Sequence, residues 1–264
     1  MTGGLLAAWW DGPADGPANM AADELLAEEA DRRGDPVMRF YSWTTPTVSI
    51  GAFQRLEEAA ACPAIAGLPI VRRPSGGGAI LHGTDLTYAA AVPKSHPCGG
   101  APQALYDAVH LAAIAVLGEL GFAAHLHVPG GDDPPADALL CFSRRAPGDV
   151  VVRVPRPPAG LAADPKVLGS AQRRLGGTVL QHGSLLLSRA PAAGMAARHP
   201  GLSDLSVGPA TWTPRWLADR WGARLAESFG GTLQWQAEAF ATPRLVALTS
   251  RATRFLDPRW TARR

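Results

Sequence analysis

Three consecutive glycines, Gly76–Gly78, follow an apolar segment, Leu68–Arg73, and precede another, Ala79–Leu81. The pattern reads as strand, tight turn and strand. A turn without Cβ atoms lets the backbone approach a ligand closely and present N–H groups to an oxygen. Arg72 and Arg73, just upstream, add positive charge. The segment is not a phosphate loop, because no Gly-Lys-Ser/Thr follows. It also lacks the spaced glycines of a dinucleotide site.

Around this turn the chain alternates short strand-like segments with few helices. Asn19–Arg33 reads as a helix with Asn19 as N-cap, acidic residues early and Gly34 after its end. Val37–Trp43 and Thr47–Ile50 read as strands, and a short helix is expected near Leu56–Ala61. Ala79–Leu81 and Leu86–Val92 are expected to pair around Gly83–Asp85. Pro102–Leu120 has the longest helical pattern, closed by Gly121. His125–Val128, Ala138–Phe142, Val150–Val154, Val167–Gln172 and Val179–Leu187 read as strands. Pro129–Ala136 and Arg156–Ala163 read as Pro/Gly-rich loops. Two helices, near Pro214–Phe229 and Ala237–Phe255, end the chain, with Trp212, Trp216, Trp221 and Trp235 as core anchors. The expectation is an α+β fold: mixed, largely antiparallel sheets flanked by helices, with a short helical C-terminal part. A single domain is expected over 1–264, with its core at about 19–187 and the helical part at about 205–264.

A hydrophobic fraction of 47% over 264 residues supports a substantial core, and 18% charged residues argues against disorder or a coiled coil. A net charge of +2 gives no reason to expect nucleic-acid binding. The apolar run Leu5–Trp10 is short and has no basic residues before it, and no segment approaches ~20 apolar residues. No signal peptide and no membrane span are therefore expected. Three cysteines, Cys62, Cys98 and Cys141, do not make a disulfide framework, and a cytoplasmic location is expected. There is no CxxC pair, and His96 with Cys98 is too small a set for a metal, so no metal is expected.

Only two of the 25 basic residues are lysines, Lys94 and Lys166. A lysine kept in an arginine-rich chain is notable, because an ammonium on a flexible stem acts differently from a guanidinium. Lys166 opens Lys166-Val167-Leu168-Gly169-Ser170-Ala171-Gln172, where Gly169 and Ser170 leave room beside a strand; a surface lysine is the bland alternative. Cys141, in Leu139-Leu140-Cys141-Phe142, is either a buried core thiol or a nucleophile activated by a nearby cation. No Ser-His-Asp constellation is evident.

Taken in order, NMAADE at 19–24, WTTPTVSIGAFQ at 43–54, RRPSGGGAILH at 72–82, DLTY at 85–88, KVLGSAQRR from Lys166 and LQHGS from Leu180 resemble the lipoate–protein ligase and octanoyltransferase family, relatives of the biotin–protein ligases. The resemblance runs from about Asn19 to Leu187. It implies a biotin/lipoate ligase-like catalytic fold. It also implies an acyl pocket formed by Arg72, Arg73, Ser75, Gly76, Gly77, Gly78, His82, Gly169, Ser170, Ala171 and His182. Lys166 matches the family's active-site lysine, and Cys141 matches the nucleophile of the cysteine-dependent octanoyltransferase branch. The run GGGAILHGTDLTYA looks more like that branch than like the ATP-dependent ligases. Two departures stand out: the 143–165 segment is longer than a hairpin, and Pro165 precedes the lysine.

The resemblance therefore implies transfer of an octanoyl group from octanoyl–acyl carrier protein, through a Cys141 thioester, to a lysine of a lipoyl domain or glycine-cleavage H protein. No cofactor is needed, because the donor thioester is already activated. An ATP-dependent lipoate ligase, an amidotransferase between lipoyl proteins and a non-catalytic acyl-binding relative are the alternatives.

Overall fold

The computed structural model describes residues 4–130, 139–155, 164–190, 199–206 and 210–263. Its centre is an eight-stranded sheet ordered β11-β1-β2-β6-β10-β9-β8-β7. These strands are β1 (Leu5–Ala14), β2 (Val37–Trp43), β6 (Asp85–Pro93), β7 (Ala124–Leu126), β8 (Val150–Val152), β9 (Lys166–Leu175), β10 (Thr178–Leu186) and β11 (Thr232–Trp235). β11, β1 and β2 run parallel, and the pairings from β2 to β7 are antiparallel. A second sheet, β4-β3-β5, joins β3 (Thr47–Ile50), β4 (Ile70–Arg72) and β5 (Ile80–His82).

Both faces of the large sheet are covered, and side-chain alternation along β2 shows why. Met38 and Phe40 join a core with Leu105, Val109 and Val116 of α4 (Pro102–Glu119) and Leu217 and Trp221 of α6 (Pro214–Ser228). Val37 and Tyr41 face the other way, into a core with Met20 and Leu26 of α1 (Gly16–Arg33) and Leu248 and Phe255 of α7 (Leu245–Leu256). Alternate residues of a strand point to opposite faces, so β2 is buried on both. Trp221, 1% exposed, anchors α6 by donating from Nε1 to Val109 O at 2.9 Å. Trp212, Trp216 and Trp235 pack partly buried on the same core.

Several elements differ from the sequence expectation. Helix α1 starts at Gly16, capped by Asp15 Oδ1 accepting from the Ala18 N–H at 2.8 Å. Asn19 is instead buried, donating to Ala14 O and Ser42 O and accepting from Arg39. The Leu5–Trp10 run lies in β1, between β2 and the C-terminal strand β11, so the C-terminal part is not wholly helical. β5 and β6 do not pair: β5 lies against β3, and β6 against β2 and β10. The cause is Asp85, whose buried carboxylate accepts from Gly83 N–H, Thr87 Oγ1 and Ser184 Oγ and turns the chain from one sheet into the other. The strand expected at 138–142 is a single bridge, Ala79 to Leu140, followed by a 3₁₀ turn at Cys141–Ser143. Ala138, most of the Pro129–Ala136 loop and the Arg156–Ala163 excursion lie outside the described residues. Among the described residues no helix is long and apolar enough to cross a membrane.

Candidate active site

Lys166 begins β9 and is buried, 5% exposed. Its Nζ lies 2.7 Å from Asp149 Oδ2, 3.2 Å from Cys141 Sγ and 3.3 Å from Cys141 O. Asp149, just before β8, is fixed by the Ala146 N–H on Oδ2 at 2.6 Å and by the Tyr106 hydroxyl on Oδ1 at 3.3 Å. Burial alone would push the lysine's pKa down. The Cys141 sulfur and the Asp149 carboxylate outweigh it, and the pKa ends raised. Lys166 is therefore a buried ammonium held against a sulfur. Cys141 is half-buried and packs with Ile80, Phe142 and Leu186. The Phe142 ring lies 5.2 Å from the ammonium, within cation–π range.

Gly169 makes this placement possible. A Cβ there would stand 2.6 Å from Lys166 Cε and 2.8 Å from Nζ. Behind it, Ser170 lies in a polarised chain of hydrogen bonds. Gln181 donates to the Tyr88 hydroxyl, which contacts Ser170 Oγ at 2.6 Å; Ser170 Oγ in turn lies 2.6 Å from His110 Nε2. His110 Nδ1 meets Gly148 O at 2.7 Å, which ties the Gly148–Asp149 corner to β9. Burial pushes the His110 pKa down to about 4, so the ring is neutral and accepts at Nε2 while donating at Nδ1.

The glycine turn is built around Arg73. Its Nη2 donates to Gly76 O and Gly78 O, both at 2.7 Å, and its Nη1 donates to Ser49 O at 2.7 Å. Gly77, at φ +90°, takes the bend that an L side chain resists. Burial lowers the Arg73 pKa to about 10. Arg72 does not line the cleft beside this turn. Its Nη1 binds the carbonyls of Gly51, Ala52 and Gln54, and its Nε binds Thr261 O, so it clamps the C-terminal residues to β4.

That cleft, about 290 Å³, is lined by Met20, Tyr41, Trp43, Ile80, Ala171 and Gly183, with Ser49, Arg73, His82, Thr87 and His182 as its polar members. Ile80 also packs against Cys141, which links the cleft to the sulfur. Two Ser-His-Asp relays, not evident in the sequence, stiffen its walls. Ser75 Oγ lies 2.5 Å from His182 Nε2, and His182 Nδ1 lies 2.7 Å from Asp23. Ser49 Oγ lies 2.9 Å from His82 Nε2, and His82 Nδ1 lies 2.8 Å from Asp85. Trp43 stacks on His82 at 4.0 Å. Both serines are 1% exposed, so these relays hold the walls and present no nucleophile. Asp23 also accepts from Arg39 and the Tyr41 hydroxyl, which joins α1 to the site.

Of the residues expected from sequence, the structure brings together Cys141 and Lys166. Around the cleft it gathers Arg73, Ser75, Gly76–Gly78, His82, Ala171 and His182. Gly169 and Ser170 support the lysine, and Arg72 stands apart. Sequence reasoning missed Asp149, Tyr106, His110, Ser49, Asp23 and Asp85. The one available signal was the acid in Gly148-Asp149-Val150-Val151-Val152, which enters an apolar strand with no other acid nearby. Among the described residues no three His, Cys, Asp or Glu side chains converge to hold a metal.

Comparison with known proteins places the fold and the sequence in a family. Residues 15–193 match the lipoyl protein ligase A/B catalytic domain. The octanoyltransferase LipM of Anoxybacillus flavithermus is 37% identical over 180 residues, 64% of this chain and 60% of that protein. The LipM of Symbiobacterium thermophilum is 37% identical over 186 residues, 67% of this chain and 63% of that protein. The chain thus spans about three fifths of the length of these curated relatives. Among solved structures, lipoate-protein ligase A bound with ATP superposes with a TM-score of 0.69 at 17% identity, covering 99% of both chains. The lipoic acid complex of the Thermoplasma acidophilum protein Ta0514 gives 0.65 at 20% identity, again over 99% of both chains.

Proposed function

The chain belongs to the lipoyl protein ligase A/B catalytic-domain family, and on that premise we propose that it is an octanoyltransferase that works through a Cys141 thioester. The carrying observation is the 3.2 Å contact between Cys141 Sγ and the buried Lys166 ammonium. The names of the LipM relatives support octanoyl transfer.

In this reading the octanoyl chain lies in the apolar cleft between Met20, Trp43 and Ile80. Its carbonyl sits near the glycine turn and Lys166. The donor is octanoyl–acyl carrier protein. Cys141 sulfur attacks the donor thioester carbon, and the oxyanion is held by the Lys166 ammonium and by N–H groups of the turn, whose carbonyls are tied to Arg73. The carrier thiol leaves, and the acyl group stays on Cys141. A lysine of a lipoyl domain or of the glycine-cleavage H protein then takes it as an amide. The sequence of two acyl transfers needs no ATP and no cofactor. All three cysteines are free thiols, in keeping with a reducing cytoplasm. Strand β11 completes the sheet at β1, in keeping with one catalytic unit over the whole chain.

Incubation with octanoyl–acyl carrier protein without ATP tests this. An octanoyl adduct that hydroxylamine removes is expected by intact mass, and Cys141→Ser should abolish it while the fold persists. Failure to form the adduct, together with ATP-dependent attachment of free lipoate, would establish a ligase instead.

A further inference from the structure

A second cleft, about 340 Å³, opens beside the Cys141 turn. Its walls include Leu81, Leu140, Phe142, Leu186, Ala190 and His199. Leu140 and Phe142 flank Cys141 in the chain, and Phe142 and Leu186 pack against it. Ile80 of the acyl cleft and Phe142 and Leu186 of this one all pack against Cys141, so the residue lies between walls of the two spaces. His199 contacts Ser143 Oγ through Nε2 at 3.3 Å, and its ring lies 6.0 Å from that of Phe142. With Nε2–H donating to Ser143, Nδ1 is left as an acceptor facing no partner among the described residues.

We propose that this second cleft is the slot for the acceptor lysine, with its aliphatic stem between Leu81, Leu140, Leu186 and Ala190 and one of its N–H bonds donated to His199. The proposal rests on the reading of Cys141 as the acyl carrier. A lysine stem is an apolar rod with a polar tip, and the slot has apolar walls at Leu81, Leu140, Leu186 and Ala190 beside three polar residues, Thr84, Ser188 and His199. Only a neutral amine can attack a thioester, yet a free lysine is an ammonium with pKa near ~10.4. The slot acts on that equilibrium. Burial, and then the Lys166 charge, push His199 down to about 4. The same surroundings disfavour a second ammonium, so the entering lysine gives a proton to solvent. Its nitrogen then forms the C–N bond to the acyl carbon, and the C–S bond to Cys141 breaks with its electron pair leaving on sulfur, beside Lys166. The nitrogen's surplus proton passes to that sulfur and restores the thiol. His199 holds the remaining N–H so that the lone pair points at the carbonyl carbon.

The test separates the two half-reactions in the full-length chain. Loading of Cys141 from octanoyl–carrier protein and transfer from isolated octanoyl-enzyme to a lipoyl domain are each timed by intact mass. Ala190→Trp, which fills the slot, and His199→Phe, which removes the acceptor, should slow transfer at least about tenfold more than loading. Hydroxylamine, which has no stem, should still strip the acyl group from both variants. If neither variant slows transfer, or if loading falls as much as transfer or more, the slot is not the lysine's and the inference is overturned. Failure of the wild-type protein to load at all would instead refute Cys141 as the carrier, a separate result.

Discussion

Gly169→Ala should disable the site while leaving the fold in place, because the space that the methyl needs is occupied by the working lysine. The new Cβ would stand 2.6 Å from Lys166 Cε and 2.8 Å from Nζ. Carbon atoms settle at about 3.5–4.0 Å, so the stem must retreat by about 1 Å. Nζ cannot follow that retreat and keep its contacts at 2.7 Å with Asp149 and 3.2 Å with Cys141 Sγ. The Asp149 ion pair is the stronger hold, so the sulfur contact is the one lost. A misplacement of about 1 Å at a reacting group costs on the order of 100-fold in rate, about 2.7 kcal/mol of barrier. Overpacking itself costs about 1–3 kcal/mol of stability, so melting temperature must be followed alongside. The assay is single-turnover loading of Cys141 at saturating donor. Lys166→Ala removes the group with which the methyl collides, so adding Gly169→Ala to it should cost little more. A folded Gly169→Ala protein that loads at the wild-type rate would refute the reasoning. So would a methyl whose cost is undiminished when Lys166 is alanine.

Two further predictions follow from the buried charges. Asp149→Asn removes a carboxylate that, with the Cys141 sulfur, offsets burial and keeps Lys166 charged, so the ammonium's pKa should fall. The alkaline limb of the loading rate should move to lower pH, and an unmoved limb would show that Asp149 does not help to set the lysine's charge. His110 has a pKa of about 4 in the fold against 6.5 when free, so the unfolded chain takes up a proton that the native protein refuses. Its contribution is intact above pH 6.5 and is lost as the pH falls towards 4, to a limit of about 3 kcal/mol. Urea titrations at several pH values should show this loss in wild type and a shallower one in His110→Asn; equal slopes would contradict it.

The sequence was most legible where structure is local. Val37–Trp43 and Thr47–Ile50 match β2 and β3 to the residue, because Thr44-Thr45-Pro46 punctuates two β-prone runs. Helix α4 was equally plain from its periodicity and flanking Pro102 and Gly121. What escaped is non-local. β1 pairs with β11 across more than two hundred residues, and nothing in Leu5–Trp10 reveals that partner. β5 and β6 looked like a hairpin because the turn residues were right, but the partners of Asp85 decided otherwise, and Ser184 lies 99 positions away. The Ser75–His182–Asp23 relay unites three segments, each of which looks ordinary alone. Family motifs carried the site further than periodicity could. They pointed to Cys141 and Lys166, separated by 25 positions in the sequence and by 3.2 Å in the fold. They did not point to Asp149, which acts through the lysine.

The contacts of Lys166 also explain why an ammonium is kept at this position in a chain with only two lysines among its 25 basic residues. An ammonium has three donors set tetrahedrally, whereas a guanidinium has five in one plane. Nζ of Lys166 finds three acceptors, Asp149 Oδ2, Cys141 O and Cys141 Sγ, at 2.7, 3.3 and 3.2 Å. All three donors are therefore used, and no buried proton is left unpaired. A planar fork could not converge on three such points above the backbone at Gly169, where even a methyl collides. The same count bears on the proposed acyl transfer. A thioester at Cys141 would make its sulfur a poorer acceptor, while the Asp149 and backbone contacts remain. One donor would then be released beside the proposed acyl carbonyl, where the next oxyanion would form. In that proposal one ammonium, held by Asp149 and the Cys141 carbonyl, would serve both the resting hydrogen bonds and the developing charge.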